Sequence, residues 1–284
     1  MHTTLIRASS DLARHTADPA WLFVDCRFDL ANPAAGEFAY RAGHIPGAVY
    51  AHLDRDLSAP LTPTSGRHPL PRPEVFAETL SRWGLGPNTQ VVAYDADTGA
   101  YAARLWWLLR WVGHRAVAVL DGGYKAWLTA GMPAAAALPT RPASQFVARP
   151  DRSMWLDSQE VKERVGRSNW RLLDARAPER FAGEVEPLDA KAGHVPGAVN
   201  HPYTLDIGPT GRFHGADELA ARFDRSQRGV NNDHTIAMCG SGVTACHLLL
   251  AMEIADKHGA KLYAGSWSEW IKDPSRPIAT GRSG

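Results

Sequence analysis

The ten residues RAGHIPGAVY at 41–50 return as KAGHVPGAVN at 191–200, an offset of 191 − 41 = 150 residues in a chain of 284. No other feature constrains the fold as much. An interval of this length is a whole domain, far beyond the roughly 20–50 residues of a solenoid repeat. The flanks recur in the same order: FVDCRF before the first copy matches LLDARA before the second, and LDGGYKAW near 120 matches YAGSWSEW near 263. The sequence therefore predicts a tandem duplication, with one domain over 1–140, a second over 150–284 and a boundary near 145. Between them, GMPAAAALPTRPASQFVARPDRS at 131–153 carries prolines that break any period, as an extended connector does.

Within each half, short apolar runs alternate with longer helical patterns. VVAYD (91–95) reads as a buried strand, AARLWWLLRWVG (102–113) as a helix apolar all round, and AVAVLDGG as a strand ending in a glycine turn. The second half repeats this with HTIAMC (234–239), TACHLLLAMEIADKHG (244–259) and AKLYAGS. Alternating strand and helix predicts an α/β fold: two three-layer α/β/α domains, each with a mainly parallel central sheet. Trp106, Trp107 and Trp111 stand at helical spacing and read as core or domain-interface packing.

Charge narrows the function classes. Thirty-one basic against thirty acidic side chains leave a net charge of +1, too little excess to track a phosphate backbone or an anionic membrane, so neither is an expected partner. No apolar run approaches the roughly 18 residues of a membrane span, and MHTTLIRASSDLARHT lacks the apolar stretch of a secretory signal, so the expected compartment is the cytoplasm. Cys26, Cys239 and Cys246 are too few and too scattered for a disulfide framework or a structural zinc site. With no H-E-x-x-H or similar spacing either, neither a metal nor a cofactor is expected.

One of those cysteines sits where a nucleophile is made. The strand HTIAM runs straight into CGSGVT and then a helix beginning near Thr244. Gly240 and Gly242 let the main chain turn its amides toward the sulfur, and the helix adds the positive end of its dipole, so an anion at Cys239 is stabilised. A small buried hydrophobe is the plainer role for a lone cysteine, and it is the reading preferred for Cys246, two helical turns on, and for Cys26 at the end of WLFV.

The CGSGVT loop, the D-x-R and GH[IV]PGA elements of both halves, the LDGG turn and the duplication together resemble the two-domain rhodanese sulfurtransferases over nearly the whole chain. Gly240 and Ser241 are similar to the 3-mercaptopyruvate branch, because thiosulfate-preferring members carry basic residues at those two places. The resemblance implies a persulfide on Cys239 and a silent first domain. Alignment of VVAYD with TIAMC agrees, since it puts Asp95 opposite Cys239. By the same resemblance Arg180, in DARAPERFAG, binds the donor's anionic end, and the loop residues Gly240, Gly242, Val243 and Thr244 line the donor site. The family's second arginine is absent: Leu188 stands in its place, with Lys191, Arg67 and Arg212 as alternatives. Asp54, His68 and Ser241 match the family's proton-handling set, which implies a site drawing on both halves. His44 and His194 occur in the silent half as well as the active one, which marks them as structural.

The expected reaction moves a sulfane sulfur from 3-mercaptopyruvate to a thiol, thioredoxin among the candidates, or to cyanide; thiosulfate:cyanide transfer is the alternative. A phosphatase of the C-x5-R type is disfavoured because Ala245 stands where its arginine belongs, and a non-catalytic binding module because the cysteine loop is intact.

Overall fold

The computed structural model describes residues 1–282, which form two compact units. The first comprises 1–59, 70–151 and 209–213; the second comprises 60–69, 152–208 and 214–282. Each is built on a five-stranded sheet. In the first unit β1 (Leu5–Ile6), β2 (Trp21–Asp25), β3 (Val49–Tyr50), β4 (Gln90–Tyr94) and β5 (Val117–Leu120) lie in the order β1-β5-β4-β2-β3. In the second, β6 (Trp155–Leu156), β7 (Arg171–Asp174), β8 (Val199–Asn200), β9 (Thr235–Met238) and β10 (Lys261–Tyr263) take the matching order β6-β10-β9-β7-β8. Every pairing within these sheets is parallel, as the alternation of strand and helix predicts. Because the strand order reverses direction at the middle strand, right-handed crossovers put helices on both faces.

The core follows from the apolar runs. β4 is buried along its whole length, and the helix Ala102–Trp111 buries every side chain except Arg110, with Trp106, Trp107 and Trp111 in the interior. Its counterpart, Thr244–Ile254, is likewise buried on nearly all sides. That helix stops short of the expected 259. Asp256 adopts the left-handed conformation at φ 58°, and the Asp256 and Lys257 amides bond back to Glu253 O (3.2 Å) and Met252 O (2.8 Å), a Schellman termination made with an aspartate where glycine is usual. The connector runs extended along the first unit, where Ser144 N donates to Ser81 O (2.9 Å) and Ser144 Oγ to Leu85 O (2.7 Å).

The repeated motifs build the same clamp twice. Arg27 grips the buried Asp25 through Nε and Nη2 and donates Nη2 to Gly43 O (2.6 Å); Arg176 grips Asp174 in the same way and donates to Gly193 O (2.9 Å). Each arginine thus ties the end of a core strand to the first residue of the GH[IV]PGA element. The histidine of that element is fully buried in both units, with Nδ1 on a carbonyl: His44 on Tyr40 O and His194 on Phe181 O, both at 2.8 Å. Their main chains pair with Ala135 and Ala279, so both histidines are scaffold. Burial is also the cause that drives the His194 ring toward its neutral form.

Removing one partner of such a clamp strands a charge in the interior. Arg27→Met, which leaves Asp25 buried without its cation, is expected to lower the stability of the first unit by about 3–5 kcal/mol in urea unfolding at neutral pH; a loss below about 1 kcal/mol would show that the clamp does not support the sheet.

Candidate active site

β9 is the middle strand of its sheet, and Cys239 is the first residue beyond its carboxyl end, the edge where parallel α/β sheets take ligands. The chain then turns through Gly240, Ser241, Gly242 and Val243 into the helix Thr244–Ile254. Gly242, at φ 81°, aims its amide back at Cys239 Sγ, 3.1 Å away, and any side chain at that glycine would collide with Ala264 O. The loop is pinned from its far side. Cys239 N donates to Ser266 Oγ (3.1 Å), Trp267 N to Cys239 O (3.0 Å) and Ser268 N to Gly240 O (2.9 Å). Underneath, the buried Cys246 donates its Sγ–H to Gly242 O (3.2 Å), so this cysteine supports the loop and does not face it.

Ser266 carries no signal in the sequence reading. It occupies the left-handed region at φ 53°, where its counterpart in the first unit is Gly123 at φ 59°. A serine accepts that strain here because its hydroxyl bridges Tyr263 O (2.9 Å) and the amide of Cys239.

The first unit holds the same loop with a carboxylate in it. Register pairs Asp25 with Tyr94 and Asp174 with Met238, so Asp95 stands where Cys239 does, as the alignment of the two strands predicts. Its carboxylate accepts from Gly99 N (2.9 Å), Tyr101 N (2.8 Å) and Ala102 N (3.2 Å). Burial pushes the Asp95 carboxyl up, and those three amides pull against it. Cys26 sits fully buried, and desolvation, helped by the charges of Asp25, Asp95 and Asp56, drives its thiol well above the ordinary range, which keeps it protonated and inert.

The segment 60–69 precedes the connector in sequence but belongs to the second unit, and it brings polar groups to the cysteine loop. Gly66 lets it approach closely, since a methyl there would lie 2.5 Å from Gly265 O, and Arg67 N donates to Ser268 Oγ (3.0 Å). His68 and Ser241, both buried, meet at 2.7 Å between Nδ1 and Oγ. Asp54 lies on the short helix Leu53–Asp56 of the first unit, with its amide on His52 Nδ1 (3.1 Å).

Around the same loop stands a charge network that local spacing does not reveal. Arg180 binds Glu186 with Nε and Nη2 (Nη2 to Oε1, 2.7 Å) and Asp189 with Nη2 (3.2 Å); Arg67 Nη1 pairs with the other oxygen of Asp189. Arg176 Nη1 lies 3.6 Å from Glu186 Oε2. Burial raises the Asp189 carboxyl, with Arg67 and Arg180 opposing it. Of the alternatives for a second arginine, Arg212 falls in the first unit beside Gly122, while Lys191, Leu188 and Arg67 line one cleft of about 340 Å³ in the second.

A strand-end loop that turns a main-chain amide onto a cysteine, duplicated with the cysteine replaced, defines a rhodanese-type domain pair. The rhodanese-like domain family matches residues 8–130 and 157–273, and the chain belongs to the rhodanese family of sulfurtransferases. Its relatives include a Pseudomonas aeruginosa protein named probable 3-mercaptopyruvate sulfurtransferase, 46% identical over 99% of this chain and 100% of the relative, and human 3-mercaptopyruvate sulfurtransferase, 37% identical over 89% and 85%. Thiosulfate sulfurtransferase of Gallus gallus is 36% identical over 82% of this chain and 80% of its own length. Among solved structures, the 3-mercaptopyruvate enzyme SseA of Escherichia coli superposes with a TM-score of 0.80 at 34% identity, covering 94% of this chain and all of SseA.

Gly242→Ala removes the conformation that aims the amide at Cys239 Sγ. It is expected to cut sulfur-transfer turnover on the order of 10²-fold, as loss of a pre-aimed donor does, and to cost more than about 1 kcal/mol in urea unfolding. Turnover within about twofold of the parent would show that this amide takes no part.

Proposed function

We propose that the chain transfers sulfur from 3-mercaptopyruvate to a thiol acceptor or cyanide through a persulfide on Cys239. The observation that carries this reading is the Gly242 amide on Cys239 Sγ with two guanidinium groups, Arg67 and Arg180, over the neighbouring Gly240. An anionic nucleophile and the anionic tail of its donor are thereby served side by side.

In the first half-reaction the Cys239 thiolate attacks the donor sulfur. An S–S bond forms, the C–S bond breaks, and its electron pair leaves on carbon as the enolate of pyruvate. The enolate carbon takes a proton to become pyruvate, and the persulfide loses its own, so the enzyme carries Cys239–S–S⁻ with no oxidant or reductant consumed. Ser241 and His68, joined at 2.7 Å, form the relay for that proton. Asp54's part in it rests on the family resemblance alone. In the second half-reaction the acceptor attacks the outer sulfur and Cys239 leaves as thiolate, held by the Gly242 amide. The first unit, with Asp95 at the equivalent place, is the silent partner.

Thiosulfate is the competing donor, since a sulfonate end suits the same arginines and a thiosulfate sulfurtransferase is among the relatives. The uncharged Gly240 and Ser241 favour mercaptopyruvate. The three cysteines are free and buried, in keeping with a reducing compartment, and no helix among the described residues is long and apolar enough to cross a membrane; we place the enzyme in the cytoplasm.

Assayed in parallel, the enzyme is expected to release pyruvate from mercaptopyruvate at least about tenfold more efficiently than sulfite from thiosulfate, and Cys239→Ser is expected to abolish both while remaining folded. The reverse preference would make thiosulfate the donor, and turnover by Cys239→Ser would remove the cysteine from the mechanism. His68→Gln is expected to slow pyruvate release by about 10²-fold or more; an unchanged rate would exclude the relay.

A further inference from the structure

Asp206, fully buried in the second unit, lacks the arginine that its other buried acids have. Asp174 is held by Arg176, and Asp189 by Arg67 and Arg180, whereas Asp206 pairs only with an imidazole: Oδ1 meets His201 Nε2 at 2.9 Å, and Oδ2 has no hydrogen-bond partner among the described residues. The other nitrogen of that ring, Nδ1, lies 2.7 Å from Ser226 Oγ. His201 follows the edge strand β8, Asp206 ends the short turn Tyr203–Asp206, and Ser226 sits in the last turn of the helix Ala216–Gln227. Phe223, on the same helix, stacks flat on the imidazole, with centroids 4.6 Å and planes 2° apart. The protons of this chain have one consistent order. An ionised carboxylate only accepts, so Nε2 carries the ring proton; the neutral ring then offers Nδ1 as a bare acceptor, and Ser226 donates its hydroxyl to it. His201 is buried, while Ser226 is half-buried and open to solvent on one side.

We propose that Ser226 is a second nucleophile of this chain, activated by His201 and Asp206 to take the acyl group of short carboxylic esters. The three residues lie within one unit and outside the cysteine loop, so this activity stands apart from sulfur transfer. Its driving force is the missing counter-charge. When the Ser226 proton moves to Nδ1 the ring becomes a cation, and it does so against a buried carboxylate that no guanidinium balances, so their attraction grows as the reaction proceeds. Phe223 fixes the ring plane, so the base is already oriented when the ester arrives. Arg222, four residues before Ser226 on the same helix, keeps Nη2 on Glu218 Oε1 (3.0 Å), and its Nε is buried with no hydrogen-bond partner. The positive charge that an acyl oxyanion requires is therefore carried on the same helix face. In the acyl transfer Ser226 Oγ bonds to the acyl carbon and its proton passes to Nδ1. The ester C–O bond breaks with its electron pair on the alcohol oxygen, which takes the proton from Nδ1. Water then attacks the acyl-serine through the same base, and the carboxylic acid leaves with Ser226 restored; nothing is oxidised or reduced.

Labelling of the full chain with a fluorophosphonate, read by peptide-resolved mass spectrometry, tests the serine itself. The phosphonyl group is expected on the peptide containing Ser226, added at least about 10²-fold faster than on any other serine peptide. His201→Gln and Asp206→Asn are each expected to slow that labelling by about 10²-fold or more. In the Cys239→Ser background, where the cysteine contributes no ester turnover, adding Ser226→Ala is expected to cut p-nitrophenol release from p-nitrophenyl acetate at least about tenfold; in the parent background the same change is expected to leave pyruvate release from mercaptopyruvate within about twofold. A Ser226 modified no faster than the other serines overturns the proposal and leaves the three residues as a cross-link between helix and turn. Labelling that keeps the parent rate in both His201→Gln and Asp206→Asn, or ester turnover unchanged by Ser226→Ala, overturns it as well. Should the His201 and Asp206 variants fail to fold, the contrast between Ser226 and the other serines of the parent decides alone.

Discussion

Main-chain amides turned inward at the carboxyl end of the middle strand are the feature on which the site depends. In both units a tight loop follows this strand and leads into a buried helix, and in both it closes on an acceptor: the Asp95 carboxylate in one, Cys239 Sγ in the other. The carboxylate shows what the loop is built to hold. Three amides converge on Asp95. At Cys239 the equivalent loop turns the Gly242 amide onto a sulfur, the atom on which the proposed transfer takes place. The two copies therefore share a loop scaffold and differ in the side chain it holds.

Segments distant in sequence complete each loop differently. In the first unit Phe213, from the 209–213 segment, packs on Gly99 of the Asp95 loop, with its amide on Asp121 Oδ1 (3.0 Å). In the second, residues 60–69 deliver His68 to Ser241 and Arg67 to Asp189. An aromatic ring closes the loop that carries a fixed charge, and a histidine and an arginine close the one that carries the cysteine. This contrast follows from electrostatics: a buried carboxylate already balanced by amides gains from apolar cover, whereas the sulfur transfer proposed for Cys239 needs a proton relay and counter-charges within reach.

Much of this was legible in the linear chain because the informative residues are contiguous. GH[IV]PGA, D-x-R and CGSGVT each lie within a few positions, so the repeat, the parallel sheets, the Asp95 for Cys239 exchange and the scaffold roles of His44 and His194 could be read before any coordinates. The charge network could not. Arg67 and Asp189 stand 122 positions apart and no periodicity joins them; the empty place at Leu188 pointed to a missing cation without identifying its source. Ser266 was invisible for another reason: a left-handed serine has no sequence signature apart from the glycine its counterpart Gly123 supplies. The early end of the helix Thr244–Ile254 was missed because Asp256 plays the part a glycine usually announces.

Cys26 and Cys246 complete the contrast. One is driven by burial into its protonated form, and the other donates to Gly242 O beneath the loop. Peptide-resolved mass spectrometry of enzyme exposed to mercaptopyruvate without an acceptor compares all three sulfurs at once. The cradle at the end of β9 requires one extra sulfur atom on the peptide containing Cys239 and none on those containing Cys26 or Cys246. An unmodified Cys239 in enzyme that has released pyruvate, or a persulfide on either of the other two, would contradict it.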